Sequence, residues 1–255
     1  MRSSLIAGNW KMNGSLQSVI ELVEGIKAGD AGKAELAVCP PAVYLMKVGG
    51  MLADTAVALG SQNVCNHQVG AFTGEISAAM LKECGCRYAI VGHSERRSLY
   101  LESDQLVAAR FAMAVDAGLT PILCVGETLY EHEQGVTEAV VARQIDAVLD
   151  TLGIAGFTQA VIAYEPVWAI GTGLVASPER AQAVHRAVGP PRDFRGHLLL
   201  VGPGANGESH SRGLLAQAVV AKKDVSGLGI DKKNFEGALP SQMHPVGERE
   251  SVPKR

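Results

Sequence analysis

The chain has 255 residues, 47% of them hydrophobic, and a formal net charge of -3. That length buries a substantial core, as one large α/β domain or two smaller ones, and interspersed acids and bases leave no basic face for nucleic acid or an anionic membrane surface. The expected partner is a small molecule or another protein.

Strand-like sequence begins by Leu5 with no long apolar stretch ahead of it, so neither a leader peptide nor a membrane span is expected. The first strand, Leu5–Ala7, runs into Asn9-Trp10-Lys11-Met12-Asn13-Gly14 and a helix over Ser15–Ala28. Glu35–Cys39 and Val57–Leu59 are the second and third strands, and the glycine-rich segment Gly70–Ser77 after them reads as a surface loop. Tyr88–Val91 is the fourth strand; it leads through Gly92-His93-Ser94-Glu95-Arg96-Arg97 toward a helix over Ser103–Ala117. Pro121–Val125 and a helix over Thr137–Leu152 follow, then Ala160–Tyr164, whose end carries Glu165-Pro166-Val167-Trp168-Ala169-Ile170-Gly171-Thr172-Gly173. A helix over Pro178–Val188 has Ser177 as its cap and proline at its first position. The seventh strand is His197–Val201, and an eighth is expected between Ala218 and Ile230, where Ala218–Ala221 competes with Asp224-Val225.

Apolar strands alternating with helices predict parallel pairing through crossover helices. Polar and glycine-rich clusters stand after the first, fourth, sixth and seventh strands. A closed barrel brings those ends to one mouth, whereas an open sheet spreads them along an edge. The predicted fold is therefore α/β, a (β/α)8 barrel with an atypical seventh and eighth unit. Residues 1–240 are expected to form a single domain and the polar residues 241–255 a mobile tail. Five cysteines without CxxC spacing, Cys39, Cys65, Cys84, Cys86 and Cys124, predict reduced thiols in a cytoplasmic protein, with no metal site.

Glu165 ends an apolar strand beneath a glycine-bracketed loop. A carboxylate covered by such a loop is desolvated and becomes a better base, although a lone Glu-Pro pair would read as an ordinary connection. Lys11 offers a point charge for a phosphate or a developing oxyanion. His93, near a helix N-terminus, is held neutral and able to donate to a carbonyl oxygen. Alone, each would be an ordinary surface or core residue.

Together these segments resemble the triosephosphate isomerase family. The resemblance runs from Leu5 to about Ala187, through Asn9–Gly14, Gly70–Ser77, Val91–Arg97, Cys124-Val125-Gly126-Glu127 and the Glu165 loop. It implies a TIM barrel and a cofactor-free aldose–ketose isomerisation of a small phosphorylated triose. Glu165 would move the proton, His93 polarise the carbonyl with Asn9 assisting, and Lys11 supply positive charge. It also implies that Glu95 orders Lys11 and that Cys124 supports the catalytic groups. Pro166, Val167, Trp168, Ala169, Ile170, Gly171, Thr172 and Gly173 would form a lid. Thr73, Gly74 and Glu75 would reach into the partner of a homodimer, with Thr73 near the partner's Asn9 and Lys11.

Beyond Ala187 the pattern departs. Val201-Gly202-Pro203-Gly204-Ala205-Asn206-Gly207 stands where the family has a Tyr-Gly-Gly-Ser turn, and Pro203 lacks an N–H. Gly171, Gly204, Ala205 and Gly227 remain as candidate phosphate contacts, with weakened phosphate binding expected. Two other readings are open: an impaired barrel that binds a phosphate ligand or serves as a scaffold, and a dinucleotide turn at Gly202-x-Gly204-x-x-Gly207.

Overall fold

The computed structural model describes residues 4–29, 32, 34–169, 197–201 and 218–221. Eight strands close in sequence order into a barrel: β1 (Ser4–Asn9), β2 (Ala34–Cys39), β3 (Ala58–Ser61), β4 (Cys86–Val91), β5 (Thr120–Val125), β6 (Val161–Tyr164), β7 (His197–Val201) and β8 (Ala218–Ala221). Strands β1 to β7 pair in parallel. Of the two runs competing for the eighth strand, Ala218–Ala221 forms it, a continuous apolar stretch with two β-branched valines. It runs antiparallel to both neighbours, Val220 standing opposite Ile6 and Leu200. The atypical last unit is thus a closing strand reversed relative to the other seven. Asp224-Val225, the Pro178–Val188 helix and residues 241–255 lie outside the described residues.

The helices are α1 (Leu16–Ala28), α2 (Leu45–Leu52), α3 (Ala78–Glu83), α4 (Ser94–Leu99), α5 (Asp104–Asp116), α6 (Leu129–Glu133) and α7 (Thr137–Leu152). Ser15 starts α1 by accepting from the Ser18 N–H, and Ser103 starts α5 by accepting from the Leu106 N–H. Val19, Leu22 and Val23 place one buried stripe of α1 on the barrel, as the spacing i, i+3, i+4 requires. The helices α3, α4 and α6, of five or six residues each, are too brief to leave a periodic signal, whereas Leu45, Val48 and Leu52 give α2 a buried face at helical spacing.

Alternation along the strands sorts side chains into two cores. Leu5, Ala7, Ala37, Cys39, Tyr88, Ile90, Ile122, Cys124, Val161 and Ala163 fill the barrel. Val38, Leu59, Val91, Leu123, Val125, Ile162 and Tyr164 face outward into a second core with the helices, where Phe111 and Phe157 meet at 5.2 Å. This period of two aims the strand ends: positions continuing the inward series emerge at the mouth.

Candidate active site

Asn9 continues the inward series Leu5, Ala7, and Glu165 continues Val161, Ala163. These two residues line one small cavity at the barrel mouth with Ala7, Ile90, His93, Ile122, Cys124 and Ala163. His93 reaches it because Gly92 interrupts β4 with a φ of +70°. A Cβ at Gly92 would stand 2.7 Å from Val107, so a side chain there would meet both backbone strain and a clash.

His93 caps α4. Its Nδ1 accepts from the Glu95 N–H at 3.2 Å, so the ring proton resides on Nε2, which lies 3.2 Å from Glu165 Oε1. The Glu95 carboxylate also lies 3.6 Å from Nδ1, a contact that would suit a protonated nitrogen. The backbone donor is shorter and carries a fixed hydrogen, and it requires the lone pair; the ring is therefore the neutral Nε2–H tautomer. Glu165 is 2% exposed, and its Oε2 accepts from the Ser94 N–H at 3.0 Å. Its own N–H donates to the Val125 carbonyl at 2.7 Å, anchoring the base to β5.

Lys11 adopts a left-handed backbone with φ +51°. For a residue with a Cβ this conformation costs about 1–2 kcal/mol. Three contacts hold it. The Lys11 N–H donates to Asn9 Oδ1 at 3.0 Å, Gln62 Nε2 donates to the Lys11 carbonyl at 2.8 Å, and Lys11 Nζ pairs with Glu95 Oε1 at 2.7 Å. With Oδ1 occupied, the Asn9 amide turns its Nδ2 donors to other partners.

Cys124 is fully buried against this cluster. Burial, with the Glu165 carboxylate beside it, pushes its thiol well above the usual range, so it stays protonated and unreactive. Next along the chain, the Gly126 N–H and carbonyl are both held by Gln144, at 2.8 and 3.0 Å. Glu127 is wholly buried and accepts from the Tyr164 hydroxyl at 3.0 Å and Trp168 Nε1 at 2.9 Å, while His132 Nδ1 lies 3.2 Å away. The His132 ring stacks on Trp168 at 4.4 Å. Val167 donates its N–H to the Glu127 carbonyl at 3.2 Å. Glu127 therefore roots the start of the segment predicted as a lid, a role that sequence reasoning missed although the residue lay within a noted motif. Gln62 was also missed; its only cue is its place immediately after β3.

Ile170, Gly171, Thr172, Gly173, Gly204, Ala205 and Gly227 lie outside the described residues. Thr73, Gly74 and Glu75 are exposed, on a loop braced by a Glu75 carboxylate that contacts both Arg110 Nη1 (3.0 Å) and Nη2 (3.3 Å). Among the described residues no cluster of His, Cys, Asp and Glu could hold a metal ion, and no helix is long and apolar enough to cross a membrane.

A family model described as triosephosphate isomerase matches residues 4–212. Relatives named triosephosphate isomerase include one from Thiobacillus denitrificans, 62% identical over 185 residues, covering 72% of this chain and 74% of the relative. Another, from Dechloromonas aromatica, is 58% identical over 189 residues, covering 74% and 76%. One from Halorhodospira halophila is 50% identical over 241 residues, covering 92% and 96%. The chain belongs to the triosephosphate isomerase family.

Proposed function

We propose that the chain interconverts glyceraldehyde 3-phosphate and dihydroxyacetone phosphate through an enediolate, with no cofactor. The observation that carries this reading is the contact of His93 Nε2–H with Glu165: a base and a neutral donor share one buried mouth. The Glu165 carboxylate removes the proton α to the carbonyl and returns it to the adjacent carbon. His93 Nε2–H and an Asn9 Nδ2–H donate to the substrate oxygens on which charge develops. His93 has a single Nε2 proton, so substrate binding transfers that hydrogen bond from Glu165 to the substrate oxygen. Lys11 contributes positive charge, oriented by Glu95. The lid, Pro166 to Gly173, closes from its root on Glu127 and excludes water from the enediolate.

Phosphate contacts are assigned to Gly171, Gly204, Ala205 and Gly227. With valine at 201 and proline at 203, they hold phosphate less well than the family pattern would, which raises KM. The functional unit is a cytoplasmic homodimer. Exposed apolar residues in the connections after strands β1 to β4, Met12, Val43, Met46, Val69, Phe72 and Leu101 among them, support the dimer.

A coupled assay of the purified chain beside Glu165→Gln tests the reaction. Turnover lost in the variant supports it. Equal residual turnover in both proteins would refute the assignment of the base.

A further inference from the structure

We infer that Gln62 is a positioning residue for Lys11. The inference rests on the proposed role of Lys11 in holding substrate charge. Gln62 stands directly after β3, and its Nε2 donates one hydrogen to the Lys11 carbonyl at 2.8 Å and the other to the Cys39 carbonyl at 2.9 Å. Both partners are acceptors only, so the amide orientation follows from chemistry. Cys39 ends β2, and its carbonyl also accepts from the Trp10 N–H at 3.1 Å. One primary amide from β3 thereby ties the β1 loop to the end of β2, at the residue whose backbone is left-handed.

A left-handed lysine persists only where its surroundings hold it. Asn9 restrains the Lys11 N–H and Glu95 its ammonium, but among the described residues Gln62 is the group that holds its carbonyl. Without that tie the peptide can relax to an ordinary conformation that redirects the side chain. The competent fraction of the protein then falls, and apparent affinity falls in proportion. Release of the strain corresponds to a loss of ~5- to 30-fold in binding. Because the proton-transfer groups Glu165 and His93 sit on other elements, kcat should change less than KM.

The test compares the full chain with Gln62→Met, which keeps length and loses both donors, and with Gln62→Asn, which keeps the amide but is one methylene shorter. KM for glyceraldehyde 3-phosphate and Ki for inorganic phosphate are measured for each, with melting temperature as a control. The expected result is a rise of about 5- to 30-fold in both constants for Gln62→Met, a smaller rise for Gln62→Asn, and a kcat within about threefold of the parent. In a Lys11→Met background, Gln62→Met should leave Ki for phosphate unchanged, since the group it positions is gone. Constants unchanged across the Gln62 variants overturn the inference, as does an equal effect with and without Lys11. If Lys11→Met alone leaves KM and Ki unchanged, the role of Lys11 fails, and this inference fails with it. Should Gln62→Met not fold, Gln62→Asn alone decides: a raised KM with unchanged kcat supports the tie, and parental constants refute it.

Discussion

A Cβ placed on Gly126 would overlap the carbonyl oxygen of Glu165 and stand 2.7 Å from its carbonyl carbon. The strand end that carries the base passes over a residue with no side chain. Gln144 holds that residue in place through both its N–H and its carbonyl. The position of the carboxylate is therefore set from beneath as well as by its contacts at the mouth.

Gly126→Ala should fold and yet lose activity. The added methyl group pushes the Glu165 backbone outward, and a displacement near 1 Å costs on the order of 10²-fold in rate. The loss should fall on kcat, with KM changed little, because the phosphate contacts are assigned elsewhere. Steady-state kinetics check this, with circular dichroism confirming the fold.

Glu95→Gln tests the ion pair with Lys11. Glu95 is part-exposed, so its pair with Lys11 is partly screened and stability should change little. KM for glyceraldehyde 3-phosphate should rise ~3- to 10-fold, the loss expected for a charge-assisted contact reduced to a neutral one. Raising ionic strength should narrow the difference between the two proteins.

Glu127→Gln tests the root of the lid. Two donors, the Tyr164 hydroxyl and Trp168 Nε1, converge on its carboxylate, and an amide offers them a single oxygen while adding donors of its own. Trp168 should lose its fixed orientation, seen as a red shift of tryptophan emission, and kcat should fall about tenfold through slower or less complete closure. Replacing one buried carboxylate oxygen with a donating NH2 group sets donor against donor beside Tyr164 and Trp168, at a cost of about 1–3 kcal/mol, so the melting temperature should drop by several degrees.

Glu75 supplies a pH dependence. Its hydrogen bonds with Arg110 hold its carboxyl below the usual range, outweighing the opposing effect of burial. Because the folded value lies below the unfolded one, the stabilisation is fully present above the ordinary glutamate value of about 4.3 and is lost as pH falls through the lower folded value. Melting temperature measured against pH at one protein concentration should show Glu75→Gln less stable than the parent at pH 7. The two curves should draw together as pH falls below the ordinary glutamate value, where Glu75 takes up a proton and becomes as neutral as glutamine. A parent no more stable than Glu75→Gln at pH 7 would show that the Arg110 contact does not stabilise the loop.

Much of the site was legible along the chain because strand alternation is a local rule. Leu5, Ala7 and Asn9 share a parity, as do Val161, Ala163 and Glu165, so the inward direction of both polar residues follows from the apolar residues before them. His93 breaks that rule, and Gly92 is the visible sign of the break. The eighth strand could be narrowed to two short runs, but the parallel pairing expected from the alternation does not hold for it. Which neighbours it pairs with, and in which direction, depends on barrel closure rather than on its own four residues.

By itself, then, the sequence determined the alternating strands and helices, the residues that emerge at the barrel mouth, and the family. These depend on the period of the apolar residues and on motifs contiguous in the chain. Only the tertiary structure decided which nitrogen of His93 carries the proton, the tie from Gln62 to the left-handed Lys11, and the convergence of Tyr164, Trp168 and His132 on Glu127. The physical reason is distance along the chain. Gln62 lies 51 residues from Lys11 and Trp168 lies 41 from Glu127, so neither hydrogen bond exists until barrel closure brings separate strand ends within 3 Å.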